Sequence, residues 1–252
     1  MKETKNEVKV KVKEEVKVEQ KEEVKEVLKK KYNMEFVKDL DAIYILGRGQ
    51  SLGYSPVKKP DKSEFWGCNN IYKAREVDRL FIMRDVYITQ FNRRAEIIKE
   101  ANEKGFPVYT LGKYDDLKNN IQYPMQEVIK EFGIAYFLTN ISYMLALAIM
   151  QKPKNLFLYG VDMDFGTAKE YMQNEKGNVE YWLGQATGRG IQFHLSQGSS
   201  LMRRKGRDNY YGMIVTTEKD THMVHLQPDY TWPDKNPKSA LKYKIVKIAH
   251  NL

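Results

Sequence analysis

The sequence predicts an α/β fold, a mostly parallel sheet flanked by helices, and three observations predict it. Five short apolar runs, each of strand length, follow one another between residues 42 and 164. Helical segments separate the later runs, and an alternation of that kind covers both faces of a parallel sheet. A glycine pair, Gly47 and Gly49, closes the first run in "AIYILGRGQSLGYSP", where an open α/β sheet would turn toward a ligand.

Residues 1–38 stand apart from this pattern. They are low in complexity, with no glycine or proline and no aromatic before Tyr32, and residues 1–31 carry eleven lysines against eight glutamates. The valines first alternate (Val8, Val10, Val12) and then take helical spacing (Val24, Val27, with Leu28). Such a segment cannot bury enough surface to order itself, so it reads as a charged arm, flexible or partly helical.

The strands follow in order: "AIYILG", "EFWGCN", "RLFIMRD", "PVYTLG" and "NLFLYGVDMD". Between the third and fourth lies "TQFNRRAEIIKEANEKG", with Phe91, Ala95, Ile98 and Ala101 on a helical repeat and Gly105 as its stop. Between the fourth and fifth, "FLTNISYMLALAIMQKPK" is a nearly all-apolar helix that Thr139 or Asn140 can cap. Together they predict a Rossmann-like domain over residues 39–165. Beyond it, residues 166–252 read as a lid and a C-terminal wrap. The lid is the glycine-rich, polar "GTAKEYMQNEKGNVEYWLGQATGRG", and "IQFHL" returns as a sixth strand.

Composition narrows the function. Of 252 residues, 42% are hydrophobic, enough for a sizeable core. The longest apolar segment is too short to span a bilayer, and lysine alternates with glutamate where a signal peptide would be apolar. A lone cysteine, Cys68, excludes an internal disulfide framework and suits a reducing interior, so a cytoplasmic protein without a transmembrane segment is expected. The formal charge of +9 favours an anionic partner. Residues 200–252 hold ten Lys/Arg against five Asp/Glu and include "MRRKGRDNYYG", which reads first as a solvated charged surface with packed tyrosines and second as arginines and aromatics that grip nucleic acid.

The candidate site residues gather at strand ends. Gly47 and Gly49 let backbone approach a phosphate, and Ser51 offers an amide and a hydroxyl. The turn is not GxGxxG, because Leu52 stands three places after Gly49, and no Walker lysine-serine follows. Asn69 and Asn70 end the second strand, where carboxamides read a base or ribose or simply make a turn. Asp85 ends the third and can accept from a hydroxyl, hold Mg²⁺ or cap a helix. Asp162 and Asp164, two apart on an extended segment, would point the same way. His222 and His225 lack a third ligand, so no metal site is assigned.

These residues resemble a known series. "ILGRGQSL", "WGCNNIYK" and "FLTNISYMLALAIMQKPKNLFLYGVDMD" are similar to the motifs of bacterial sialyltransferases that use CMP-sialic acid, and to the MptE-like (hydroxymethylpterin diphosphokinase-like) proteins, over about residues 42–165. The resemblance implies that Gly47, Gly49 and Ser51 line the nucleotide phosphates and that Asn69 contacts the nucleotide or sugar. Thr139 and Asn140 would lie beside the donor, and Gly160 and Asp162 would close the site. It also implies a lid histidine as general base, but Gln185 stands at that place, and glutamine cannot take a proton at neutral pH. His194 is the nearest histidine and becomes the candidate base, with Asp162 as the second catalytic candidate.

The first expectation is therefore a nucleotide-dependent transferase, a sialyltransferase-like glycosyltransferase with a nucleotide sugar as donor. Its leaving group would be stabilised by the Gly47–Ser51 amides and by Arg189 or Arg203. One alternative is a non-enzymatic scaffold that binds nucleic acid or protein through its charged ends. Another is a Mg²⁺-dependent diphosphokinase-like enzyme using Asp85, Asp162 and Asp164.

Overall fold

A computed structural model describes residues 26, 29–32, 36–37, 39–83, 94–163 and 170–202, and beyond these the backbone of 213–217, 223–228 and 246–247. The chain divides into two compact units, Met1–Ser199 and Ser200–Leu252.

The first unit is built on a seven-stranded sheet in the order β5-β4-β3-β2-β1-β6-β7. Its strands are β1 (Ala42–Leu46), β2 (Ser63–Cys68), β3 (Arg79–Ile82), β4 (Val108–Thr110), β5 (Asn120–Gln122), β6 (Asn155–Tyr159) and β7 (Gln192–Leu195). Every neighbouring pair is parallel, with Ala42 beside both Ser63 and Asn155. The predicted α/β class is the observed one, a Rossmann-like open sheet with helices against it. Residues 39–165 hold six of the seven strands, and β7 extends the sheet into the segment read as lid and wrap.

The helices are α1 (Arg94–Lys104), α2 (Met125–Phe132), α3 (Asn140–Gln151) and α4 (Glu170–Thr187). On one face of the sheet, Tyr44, Leu46, Phe65, Leu80, Ile82 and Val108 join a core with Ala101 of α1 and with Tyr72 and Phe106. Helix α3 packs on β1, β2 and β3, and from Met144 to Gln151 every one of its residues is buried. That explains its all-apolar sequence: it lies between the sheet and α4.

Three features depart from expectation. The polar segment read as an irregular lid is, from residue 170 to 187, the eighteen-residue helix α4. Its Val179, Trp182, Leu183 and Ala186 are fully buried, a helical stripe that offsets the cost of Gly177 and Gly184 in the same helix. Strand β5 and helix α2 were not anticipated. The second unit is a three-stranded antiparallel sheet of β8 (Met213–Thr217), β9 (Met223–Pro228) and β10 (Val246–Lys247); an irregular wrap was expected before a last short helix or strand near Leu241 to Ile248, and of these three strands only β10 falls where one was expected.

A charged network lies inside the first unit. Arg79 Nε and Nη2 donate to the two carboxylate oxygens of Glu64 at 2.9 and 3.0 Å, its Nη1 donates to Tyr109 Oη at 2.7 Å, and Trp66 Nε1 donates to Glu64 at 2.6 Å. Burial works against the guanidinium charge, and Tyr109 and Glu64 more than offset it, so Arg79 stays charged. Of the arm, Lys31 and Tyr32 are both tied to Glu127 of α2; residues 1–25 lie outside the described residues.

Candidate functional site

The chain leaves β1 toward β2 on one side and returns as β6 on the other, so the sheet has its switch point between β1 and β6. At the carboxyl ends of these strands is a cavity of about 1000 Å³. Eight of the sequence-predicted residues line it: Gly47, Gly49, Asn69, Asn70, Thr139, Asn140, Gly160 and Asp162.

The glycine turn is bolted to the end of β6. Gly47 N–H donates to Tyr159 O at 2.8 Å and Gly49 N–H to Gly160 O at 2.7 Å. Ser51 N–H donates to Asp162 Oδ2 at 3.0 Å, its hydroxyl donates to Asp162 Oδ1, and Gly160 N–H donates to that hydroxyl at 2.8 Å. A Cβ on Gly47 would lie 2.8 Å from the carbonyl carbon of Gly160, and one on Gly49 2.7 Å from Asp162 Cγ. The glycines thus serve the close approach of two strand ends, and the amides of Gly47, Gly49 and Ser51 are already engaged within the protein. This corrects the expectation that those amides receive phosphate. Ser51 is buried and does not line the cavity. The amides of Arg48 and Gln50 have no partner among the described residues, and both residues line the cavity.

Opposite the turn, Asn69 takes a left-handed conformation at φ +55, one that asparagine tolerates better than most side chains. Asn140 Nδ2 donates to Asn69 Oδ1 at 3.0 Å, and Asn140 Oδ1 accepts Met83 N–H at 3.0 Å. This carboxamide pair joins the ends of β2 and β3 to the start of α3. Thr139 caps α3 by accepting Ser142 N–H at 3.2 Å, in a reciprocal capping box with Ser142. Phe137 stacks on Tyr143 at 4.5 Å and on Trp182 at 5.2 Å, and Phe137 and Tyr143 both face the cavity. From α4, Asn178 accepts Leu138 N–H at 3.0 Å and donates to Tyr136 O at 2.9 Å, to which Trp182 Nε1 also donates.

The candidate catalytic groups fall differently. His194 on β7 pairs with Phe157, stacks on its ring at 4.4 Å and meets Asn155 Oδ1 at 3.0 Å. Asn155 opens β6, so the imidazole leans toward the amino ends of the strands, while the cavity is at their carboxyl ends; His194 is not brought to the site. Asp162 lines the cavity, but both its oxygens hold Ser51. Met163 turns left-handed at φ +49, so the extended path expected to align Asp162 with Asp164 ends there. Asp85, Asp164, Arg203 and His222 lie outside the described residues, among which no group of three His, Cys, Asp or Glu is placed to hold a metal. Gln185 bonds to Tyr181 and Arg189, and the Arg189 guanidinium covers the Phe132 ring at 4.5 Å, away from the cavity. Burial pushes the Cys68 thiol at the cavity floor up to about 12, so it is no nucleophile at neutral pH. No described helix is long and apolar enough to cross a membrane.

No family model matches the sequence, and no curated protein does. Among solved structures, the chain is similar to the monofunctional α-2,3-sialyltransferase Cst-I from Campylobacter jejuni (16% identity, 81% of this chain and 93% of that one, TM-score 0.48). It is also similar to the sialyltransferase CstII from Campylobacter jejuni in complex with the substrate analogue CMP-3FNeuAc (14% identity, 83% and 96%, TM-score 0.46). At that level the likeness assigns no substrate, and the functional reading rests on the cavity's own residues.

Three lining or supporting features escaped the sequence reading: Arg48, the Phe137–Tyr143 wall, and Asn178. Arg48 had a signal, a cation set between two turn glycines at a strand end. Asn178 had none, because a buried asparagine in a polar helix looks like any other.

Proposed function

We propose that the protein is a nucleotide-dependent transferase, a sialyltransferase-like glycosyltransferase that takes a nucleotide-activated sugar in the cavity at the β1–β6 switch point. The observation that carries this reading is the cavity itself. It is of the size that takes a ligand of this class, and the Asn69–Asn140 carboxamides, the capped start of α3 and the β1 turn converge on it. In the transfer, an acceptor hydroxyl attacks the anomeric carbon in line, the bond from that carbon to the phosphate oxygen breaks, and the nucleotide leaves with the electron pair. Among the described lining residues the carboxylates Glu96, Asp162 and Glu175 are the candidates to take the hydroxyl proton.

The test is calorimetric titration with CMP, UDP, GDP and ATP forms and their sugars, with and without Mg²⁺, on the natural chain and on Gly49→Val, with circular dichroism as folding control. Saturable binding of at least one nucleotide, lost in a folded Gly49→Val, supports the reading. A flat response across the panel overturns it in favour of the scaffold, for which salt-sensitive nucleic-acid binding would be the sign.

A further inference from the structure

We propose that Arg48, with the main-chain amide of Gln50, forms an anion subsite that holds the phosphate of the cavity's ligand; this rests on the nucleotide reading of the same cavity. Arg48 is the residue between the two turn glycines, and its neighbours on both sides are fixed: Gly47 and Gly49 donate to Tyr159 O and Gly160 O. Its backbone is therefore held at the switch point, while its exposed side chain faces the cavity. Among the described residues the guanidinium has neither a hydrogen-bond nor an ion-pair partner. Asp162 does not form an ion pair with it; both oxygens of that carboxylate accept from Ser51. The other lining lysine or arginine, Lys73, is paired with Glu96 and with Glu100 at 3.3 Å. Arg189 lies over Phe132, outside the cavity.

A guanidinium unpaired among the described residues and carried on a fixed stretch of backbone, with an unengaged amide two residues further on, suits a phosphate, whose oxygens accept two parallel N–H donors from the arginine fork. The glycines give Arg48 its place and the arginine gives the site its charge, so the turn acts on an anion through its middle residue and not through the glycine amides. The ligand class is a phosphate ester, with the phosphate at the β1 turn and the rest of the molecule along Asn69, Asn140 and the start of α3.

The experiment titrates CMP, UMP, GMP and AMP, each beside its nucleoside, and inorganic pyrophosphate into the full chain at low and moderate salt. It uses the natural protein, Arg48→Gln and Arg48→Lys. The expected result is that Arg48→Gln weakens the preferred nucleotide roughly tenfold to a hundredfold, the range for a lost charge-assisted hydrogen bond. Nucleoside affinity stays unchanged, salt sensitivity drops, and lysine restores part of the loss by charge without the fork. Nucleotide binding as tight in Arg48→Gln as in the natural chain would overturn the subsite while leaving the nucleotide cavity standing. Equal weakening of nucleoside and nucleotide would also overturn it, since the residue would then shape the cavity and not hold phosphate. If the natural chain binds none of the probes, the transferase reading falls and the subsite with it.

Discussion

The meeting of Gly47 and Gly160 can be tested by adding one methyl group in three places. Gly160 sits at φ +66, and a Cβ there would lie 2.7 Å from the carbonyl carbon of Gly47. Gly133 ends α2 at φ +70 with nothing within 4 Å of its would-be Cβ, so Gly133→Ala carries the backbone cost alone, about 1 kcal/mol. Gly47 has no left-handed strain, and its alanine carries the collision alone, about 1–3 kcal/mol by the scale of overpacked sites. Gly160→Ala carries both, so about 2–4 kcal/mol, or a melting temperature lower by roughly 4–16 °C for a domain of this size. The double variant Gly47→Ala/Gly160→Ala should cost less than the sum, because either methyl already parts the strand ends for the other. Urea unfolding of the four variants gives the ordering. Equal loss in Gly160→Ala and Gly133→Ala, or strict additivity of the Gly47–Gly160 pair, would refute the close approach of β1 to β6.

Other consequences are as direct. Arg79→Leu leaves the buried Glu64 without its cation and should cost about 3–5 kcal/mol, whereas Glu64→Leu/Arg79→Leu should recover much of it; denaturant midpoints decide. Cys68, buried and held at about 12, should resist iodoacetamide in the native state at pH 8 and react on unfolding. Its raised value means that the contribution to stability is whole below the thiol's ordinary value near 9 and is lost as pH rises from there toward about 12, which a Cys68→Ser comparison of alkaline unfolding would read. Asn178→Ala frees Leu138 N–H from its acceptor and should cost about 1–3 kcal/mol, with faster amide exchange at residues 136–138 than elsewhere.

What the sequence made legible follows from where each signal is stored. Strands β1, β2, β3 and β4 are apolar runs because both faces of the sheet are buried there, and β6, buried on one face and half-buried on the other, keeps enough apolar residues to read the same way; a run of Val, Ile, Leu and aromatics is visible without any partner. Strand β5 is the edge, three residues long with Asn120 and Gln122 half exposed, and nothing in "NIQ" separates it from a loop. Helix α4 was misread because Gly177 and Gly184 suggested a loop, though each has open space where a side chain would be and so costs the packing nothing. The stripe Val179, Trp182, Leu183, Ala186 was in the sequence all along and outweighs them. The strand-end rule found part of the cavity's polar lining, Asn69, Asn70 and Asp162, because topology alone fixes that location, whereas Arg48, Gln50, Lys73, Glu96 and Glu175 went unread. Hydrogen-bond engagement was not legible: that Ser51 faces Asp162 and that His194 leans the other way follow only from the fold.

That difference bears on how the cavity works. Its two polar walls are held by groups that need not touch a ligand: the Ser51–Asp162 bridge on the β1 side, and Asn178 with the capping box at the start of α3. Each bridge satisfies a backbone donor as well as fixing a position, so neither wall can move without freeing an N–H from its acceptor. A ligand entering here meets donors that are already oriented, and the ordering cost of binding falls on the ligand and on Arg48 and Gln50. In such a site, changes at Asp162 and Asn178 should weaken binding through loss of preorganisation, with little change in which base is preferred. Changes at Asn69 or Asn140 should alter the preference itself, and Arg48→Gln should weaken every nucleotide alike while sparing nucleosides, which separates the framework from the recognition surface and both from the phosphate subsite.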